Sequence, residues 1–193
     1  MSASPIPRNR AGLHDVELAG LAAAGDRKAF GELVRRHGAA VRGLIRRMGA
    51  DPATADDLAQ DAFLAAFESI GEFRGEGTFA AWVKRIAARL YIRKWRKAAR
   101  FDLMAETPEP SDQVSSEVQS NHRLDLDEAM RTLSKPERMC VSLCYGAGLS
   151  HAEAAEALNT PLGTVKSHVK RGLDKLRERL SAPSGENGRQ VNG

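Results

Sequence analysis

The chain has 193 residues, room for one medium domain or two small ones. Its 30 alanines and 19 leucines far outnumber its 10 valines, 5 isoleucines and 6 threonines, which favours helices and argues against a β-sandwich. The 29 basic and 25 acidic residues leave a net charge of only +4, so any preference for an acidic or basic partner must come from how the charges are distributed.

Residues 1–12 are rich in Pro and Ser without periodicity and read as a disordered tail; no apolar run follows their basic residues, so a secretory leader is not expected. A bundle of helices is then expected over 13–101. A short helix near Asp15–Ala24 precedes one in which Phe30, Leu33, Val34, Val41, Leu44, Ile45 and Met48 recur at helical spacing, closed by Gly49. The next begins near Pro52 and carries Leu58, Ala59, Ala62, Phe63, Ala66, Phe67 and Ile70 on one face. After the loop Gly71–Gly77, Thr78 is the expected N-cap of a helix that buries Phe79, Trp82, Val83, Ile86, Ala87 and Leu90.

The outward faces of these helices differ in sign. Asp51 to Glu72 holds six acidic residues and no basic one, and Asp57, Gln60, Asp61, Leu64 and Glu68 share one face. An acidic face can serve solubility alone, but Leu64 among the acids favours docking on a positively charged protein. Arg74 to Arg100 inverts this, with nine basic residues against Glu76 alone. Arg85, Arg89, Arg93, Arg96 and Arg100 recur about one turn apart, with Tyr91 and Trp95 between them, a combination that can grip a phosphate backbone and stack an unpaired base.

From 102 to 121 the composition shifts to Pro, Ser and acidic residues without periodicity, which reads as a flexible acidic linker. A second helical domain is expected over 122–180: helices from Arg123 to Leu133 and Lys135 to Tyr145, then two around a turn. The longest stretch without Asp, Glu, Lys or Arg, Met139 to Ala152, is too short to span a bilayer. Ser150 and Glu153 form a capping box at the head of an alanine-rich helix, Asn159-Thr160-Pro161 supplies a turn, and Gly163-Thr164 opens a last helix with Val165, Val169, Leu173, Leu176 and Leu180 inward. That is a helix-turn-helix. Thr164, Lys166, Ser167, His168, Lys170 and Arg171 head its second helix, where a major-groove reader meets phosphates and base edges, and Lys175 follows on the same basic face. A basic face that is merely solvated is the blander alternative. Residues 181–193 read as a second disordered tail.

The segment Asp56-Asp57-Leu58-Ala59-Gln60-Asp61-Ala62-Phe63-Leu64, followed by Phe73-Arg74-Gly75-Glu76 and Phe79-Ala80-Ala81-Trp82-Val83-Lys84-Arg85-Ile86-Ala87, resembles conserved region 2 of the bacterial extracytoplasmic-function (group 4) sigma factors of the sigma-70 family. Leu133, Pro136-Glu137-Arg138, Gly148-Leu149-Ser150, Glu153-Ala154-Ala155 and Gly163-Thr164-Val165-Lys166-Ser167 are similar to region 4 of the same family. The resemblance implies an all-α protein of two small domains. Asp57, Gln60, Asp61, Leu64 and Glu68 would dock on the β′ clamp helices of core RNA polymerase, and the second domain on its β flap. Arg74, Lys84, Arg85, Arg89, Arg93, Trp95 and Arg96 would recognise and open the −10 element of promoter DNA. Thr164, Lys166, Ser167, His168, Lys170 and Arg171 would read the −35 element. The resemblance further implies an anti-sigma partner, a cytoplasmic location, and no catalytic residue, cofactor or metal. The chain departs from the family where Asn is usual, at Arg89, where Asp is usual, at Arg93, and where Leu-Pro is usual, at Leu133-Ser134.

Two other classes fit the residues less well. A two-domain helix-turn-helix regulator would need a receiver of alternating strands and helices, which residues 1–100 do not suggest. Cys140, Cys144, His151 and His168 match no common ligand spacing; the i, i+4 cysteine pair reads best as small buried apolar residues.

Overall fold

A computed structural model of the chain describes residues 10–102 and 121–181. Residues 1–9 and 182–193 of the two expected tails and most of the expected linker lie outside the described residues; the end of the expected N-terminal tail is instead held in place, with Arg10 paired to Asp26 at 2.8 Å and the Arg10 and Ala11 carbonyls accepting from Arg36. The described residues form helices throughout: α1 (Asp15–Ala23), α2 (Arg27–Met48), α3 (Pro52–Glu68), α4 (Phe79–Asp102), α5 (Asn121–Arg131), α6 (Lys135–Val141), α7 (His151–Leu158) and α8 (Leu162–Ser181). A single 3-10 turn, Ile70–Glu72, follows α3.

The boundaries have local causes. Asp26 caps α2 by accepting from the Lys28 and Ala29 amides, and Asp51 caps α3 by accepting from Thr54, with Pro52 in the first turn where its missing N–H costs nothing. Gly49 ends α2 in the left-handed region at φ 112°, which only glycine adopts at little cost. The Thr78 hydroxyl accepts from the Ala81 amide at the head of α4. Ser134 with Glu137, and Ser150 with Glu153, make reciprocal capping boxes on α6 and α7.

Helices α1 to α4 pack into one bundle. Leu18, Leu33, Val41, Leu44, Ile45, Phe79 and Val83 are among its most deeply buried side chains. Phe79 and Phe73 meet edge to face, and both lie against Trp82, so an aromatic cluster supports the loop that leads into α4. In the second half, α8 crosses α6 so closely that a Cβ on Gly172 would come within 2.8 Å of Val141 Cγ2.

Three sequence expectations change. The helix expected over Lys135–Tyr145 stays α-helical only to Val141 and then widens into a π turn, Ser142–Gly146, closed by the Ala147 amide donating to the Ser142 carbonyl. Leu180, expected inward, is half exposed, and Gly172 takes part in the buried face of α8 instead. Tyr91, expected among the exposed cations, is buried and donates its hydroxyl to the Met48 carbonyl at 3.1 Å.

The apolar core is continuous between the two halves: the cluster that holds α1 to α4 together also takes in Met139, Cys140, Leu143, Ala147, Leu149, Ala154, Val165 and Val169. At the seam Gly146 packs on Leu44, and a Cβ on Gly146 would lie only 2.5 Å from Leu44 Cδ1. The Arg138 guanidinium reaches the C-terminal end of α2 beside Tyr91, so both crowd the point where a Gly49 side chain would begin. A cation there meets the negative end of the α2 dipole. Arg47 and Asp127 bridge the halves at 2.7 Å.

Candidate polymerase and nucleic-acid interfaces

Three surfaces gather the residues singled out in the sequence. On α3 the core stripe faces inward and leaves Asp57, Gln60, Asp61, Leu64 and Glu68 outward; all five are exposed. Leu64 is 63% exposed in the middle of the acids, a large apolar side chain that the fold leaves open to solvent. Asp56, on the flank, lies 3.7 Å from Arg42 of α2, so this edge of the acidic face is partly balanced by its own bundle. An apolar side chain ringed by carboxylates suits a protein surface that presents cations around an apolar pocket, and it repels DNA.

On α4 and the loop before it, Arg74, Arg85, Arg89, Arg93, Trp95 and Arg96 are exposed and Lys84 is half-buried. Trp95 is 44% exposed among cations, while Trp82 is drawn into the aromatic cluster with Phe73 and Phe79. Stacking capacity on this face therefore rests on Trp95 alone of the two tryptophans, because Tyr91 is buried as well. The charge on the face is partly engaged within the chain. Arg85 donates to the Gly148 carbonyl at 2.8 Å and lies 4.0 Å from the Glu153 carboxylate. Arg96 reaches the Glu156 carbonyl at 3.4 Å, in the last turn of α7, where that carbonyl also accepts from the Asn159 amide at 3.1 Å. The Ser150 amide and hydroxyl, and then the charges of Arg85 and Arg89, hold the Glu153 carboxyl below its ordinary value.

The third surface is the N-terminal half of α8. Asn159 turns the chain in the left-handed region, at φ 51°, between α7 and α8. Thr164, Lys166, Ser167, Lys170 and Arg171 are exposed and His168 is half-buried. Val165 and Val169 anchor the opposite side of the helix. Ser167 donates its hydroxyl to the Gly163 carbonyl at 2.9 Å, leaving the oxygen able to accept. Arg171 lies 3.2 Å from the His168 ring and 4.0 Å from Glu137. Lys170 faces Asp174 at 4.0 Å.

Sequence reasoning missed Glu137 as an anchor. It is buried between α6 and α8, accepts from Lys175 Nζ at 2.8 Å and from the Ser134 amide at 3.1 Å, and is held below the usual carboxylate range chiefly by Lys175. Lys175 remains exposed, as periodicity placed it, but its ammonium is paired with the buried Glu137 carboxylate. The one available signal was the capping-box glutamate after Ser134. Burial pushes the Cys140 thiol up to about 11 and raises Cys144 too, so neither is a ready thiolate at neutral pH. Among the described residues no three His, Cys, Asp or Glu side chains gather as a metal set, and no helix is long and apolar enough to cross a membrane.

Comparison with known proteins places these surfaces in a family. Residues 33–101 match the model of sigma-70 region 2, and residues 123–176 match that of sigma-70 region 4. The chain is 34% identical over 177 residues to the RNA polymerase sigma factor NccH of Alcaligenes xylosoxydans xylosoxydans, covering 84% of this chain and 92% of NccH. It is 35% identical over 175 residues to the ECF RNA polymerase sigma factor SigE of Mycolicibacterium smegmatis, covering 85% of this chain and 67% of SigE. The solved structure of CnrH in complex with the cytosolic domain of CnrY superposes with a TM-score of 0.51 at 29% identity, covering 88% of this chain and 99% of that one. Region 2 thus spans the two oppositely charged helices and region 4 the helix-turn-helix, in the order that the chain presents them: the protein belongs to the extracytoplasmic-function sigma factors of the sigma-70 family.

Proposed function

We propose that the chain is an alternative sigma factor that joins core RNA polymerase and directs it to promoters. The observation that carries this reading is the pairing, within one region 2 bundle, of an exposed acidic face centred on Leu64 with a basic face that keeps Trp95 at its surface. Asp57, Gln60, Asp61, Leu64 and Glu68 dock on the β′ clamp helices, and the second domain docks on the β flap. Arg74, Lys84, Arg85, Arg89, Arg93, Trp95 and Arg96 hold the −10 element. Unstacking a base costs about a few kcal/mol, which phosphate contacts and stacking on Trp95 offset. Thr164, Lys166, Ser167, His168, Lys170 and Arg171 read the −35 element in the major groove. The role requires no catalytic residue, cofactor or metal, and it is exercised in the cytoplasm, where polymerase and DNA are.

An anti-sigma factor is the partner that holds such a protein in check. CnrH, similar in fold and sequence, has been solved with the cytosolic domain of CnrY bound to it. The deciding experiment mixes the purified chain with bacterial core RNA polymerase and a promoter library, then maps transcript starts by sequencing. Starts that cluster below a shared −35/−10 pair are the expected result. Specific binding to duplex DNA without polymerase, and no association with core enzyme, would replace this reading with that of a two-domain helix-turn-helix regulator.

A further inference from the structure

We infer that Asp15 and His37, which lie outside all three surfaces, are positioning residues for −10 recognition: the pair fixes Phe79, and through it the loop 71–77 that presents Arg74. The inference rests on the assignment of Arg74 to −10 DNA made above.

Left to itself this loop has wide freedom. Gly75 and Gly77 take φ values of 77° and 85°, a conformation that glycine adopts at little cost but does not enforce. Arg74 stands exposed on it, and an arginine on a mobile loop binds more weakly because the loop must be ordered on contact. What orders the loop lies beneath it. Phe73, the neighbour of Arg74, meets Phe79 edge to face at 5.6 Å and lies 5.5 Å from Trp82. Phe79 is buried at the head of α4, and the His37 ring from α2 lies against it at 5.5 Å with a 45° tilt.

His37 is in turn held from α1. Its Nε2 lies 2.7 Å from Asp15 Oδ2, while Asp15 Oδ1 accepts from Arg36 at 3.0 Å. The ionised carboxylate only accepts, so Nε2 carries the hydrogen in this contact whether the imidazole is neutral or charged. Arg36 also donates to the Leu13 and Ala11 carbonyls at 2.8 Å each, which fastens the start of α1 to α2. Val16, next to Asp15, has its Cγ1 3.6 Å from where a Cβ on Gly75 would stand, so α1 flanks the loop directly as well.

An apolar side chain at position 37 would fill the same half-buried space without desolvating a polar ring. It would not fix the plane of the ring that meets Phe79, whereas a satisfied hydrogen-bond network does. The polar pair thus adds direction more than stability. Direction counts here because Phe79 both starts α4 and carries Phe73.

The test uses the free full-length chain. His37→Phe keeps a ring against Phe79 and removes the tether to Asp15. It should leave the urea midpoint equal or higher, because the new ring is apolar, and yet weaken binding of a fluorescein-labelled oligothymidylate about fivefold at low salt. Amides of residues 73–78 should exchange their hydrogens faster than in the parent chain. In an Arg74→Ala background most of the binding loss should vanish, since the pair acts through that side chain. If His37→Phe lowers helix content, Asp15→Ala, which frees the same ring from α1, takes its place; removing an acid would by itself tighten DNA binding, so a loss is the more diagnostic. A merely structural role makes binding follow stability. The inference is overturned if the variant binds oligothymidylate as tightly as the parent chain, or loses as much without Arg74. Transcription with core polymerase separates this from the sigma reading. Weaker binding with faster loop exchange, in a chain that yields no promoter-directed starts, keeps the positioning pair and removes the sigma role, while normal starts with unchanged binding do the reverse.

Discussion

Helices α3 and α4 are neighbours in one bundle, follow the same stripe rule inward, and present opposite charges outward. The acidic face of α3 is open, with Leu64 exposed and no partner for Asp57, Gln60, Asp61 or Glu68 among the described residues. The basic face of α4 is partly occupied by α7. Charge sign alone tells what kind of partner a face suits, protein for one and nucleic acid for the other. Coverage tells when it can be used: an open face is ready for a first encounter, and an occupied face must wait for a rearrangement.

The strongest way to break this contrast is to reverse a charge on the open face. Asp61→Arg puts a cation where a basic docking surface is expected and should weaken core polymerase binding by about a hundredfold or more, since like charges opposed across an interface cost several kcal/mol. Co-purification with core enzyme measures it. Because Asp61 is exposed and bears no structural contact, helix content should not change. The helix-turn-helix supplies a second comparison. Lys166→Ala with Arg171→Ala removes two cations from α8 and should lower −35 duplex binding by polymerase holoenzyme about thirtyfold, at about 1–3 kcal/mol for each side chain well bonded to a base edge. Its salt slope should flatten as well if phosphates are among the partners. Core binding through α3 should stay as it was, and a shared loss would unite surfaces that are separate on this reading.

A buried acid sharpens the contrast with the open ones. Glu137 is held below its ordinary value of 4.5 chiefly by Lys175, so its folded form binds a proton less readily than its unfolded form. Its contribution to stability is therefore complete above about 4.5 and fades as pH falls through the depressed folded value. Glu137→Gln should cost about 2 kcal/mol at neutral pH, as for removal of a charge-assisted hydrogen bond, and should flatten the acid limb of a urea-unfolding series across pH. Substitution of the exposed Glu68 by Gln should leave that limb unchanged.

How much of this was legible depended on the range of the interaction. Caps and stripes are local, so Thr78, Ser150 with Glu153, Pro52 and Gly49 marked helix ends correctly, and the core faces of α2 and α3 followed from spacing. The π turn was not legible because it depends on how Gly146 meets Leu44, about a hundred positions away in the chain. Tyr91 was misplaced for a related reason. Ala87, Ala88, Tyr91 and Ile92 are all buried, because α4 packs on both α2 and α3 and the Tyr91 hydroxyl reaches the Met48 carbonyl at the end of α2. The outward residues of the three surfaces were readable because exposure is what remains after the core stripe is drawn. Their engagement by α7 was not, since it belongs to tertiary contacts between distant segments.

The smallest expected effect falls on the residue where the chain departs from its family. Arg89 is exposed on α4, one turn from Arg85 and from Arg93, at a position where relatives of this kind usually carry Asn. On the proposed −10 face a guanidinium is long enough to contact a phosphate, while the shorter amide of Asn offers a donor and an acceptor suited to a base edge. Arg89→Asn should therefore weaken single-strand binding only about threefold at low salt and lower the salt slope by about 0.7, the share of one phosphate contact. In promoter selection with core polymerase it should narrow the choice of −10 base, because a directional contact replaces a charge that any nucleotide satisfies. A change in base preference at an unchanged slope would mean that Arg89 touches a base already, and the departure from the family would then be one of specificity rather than grip.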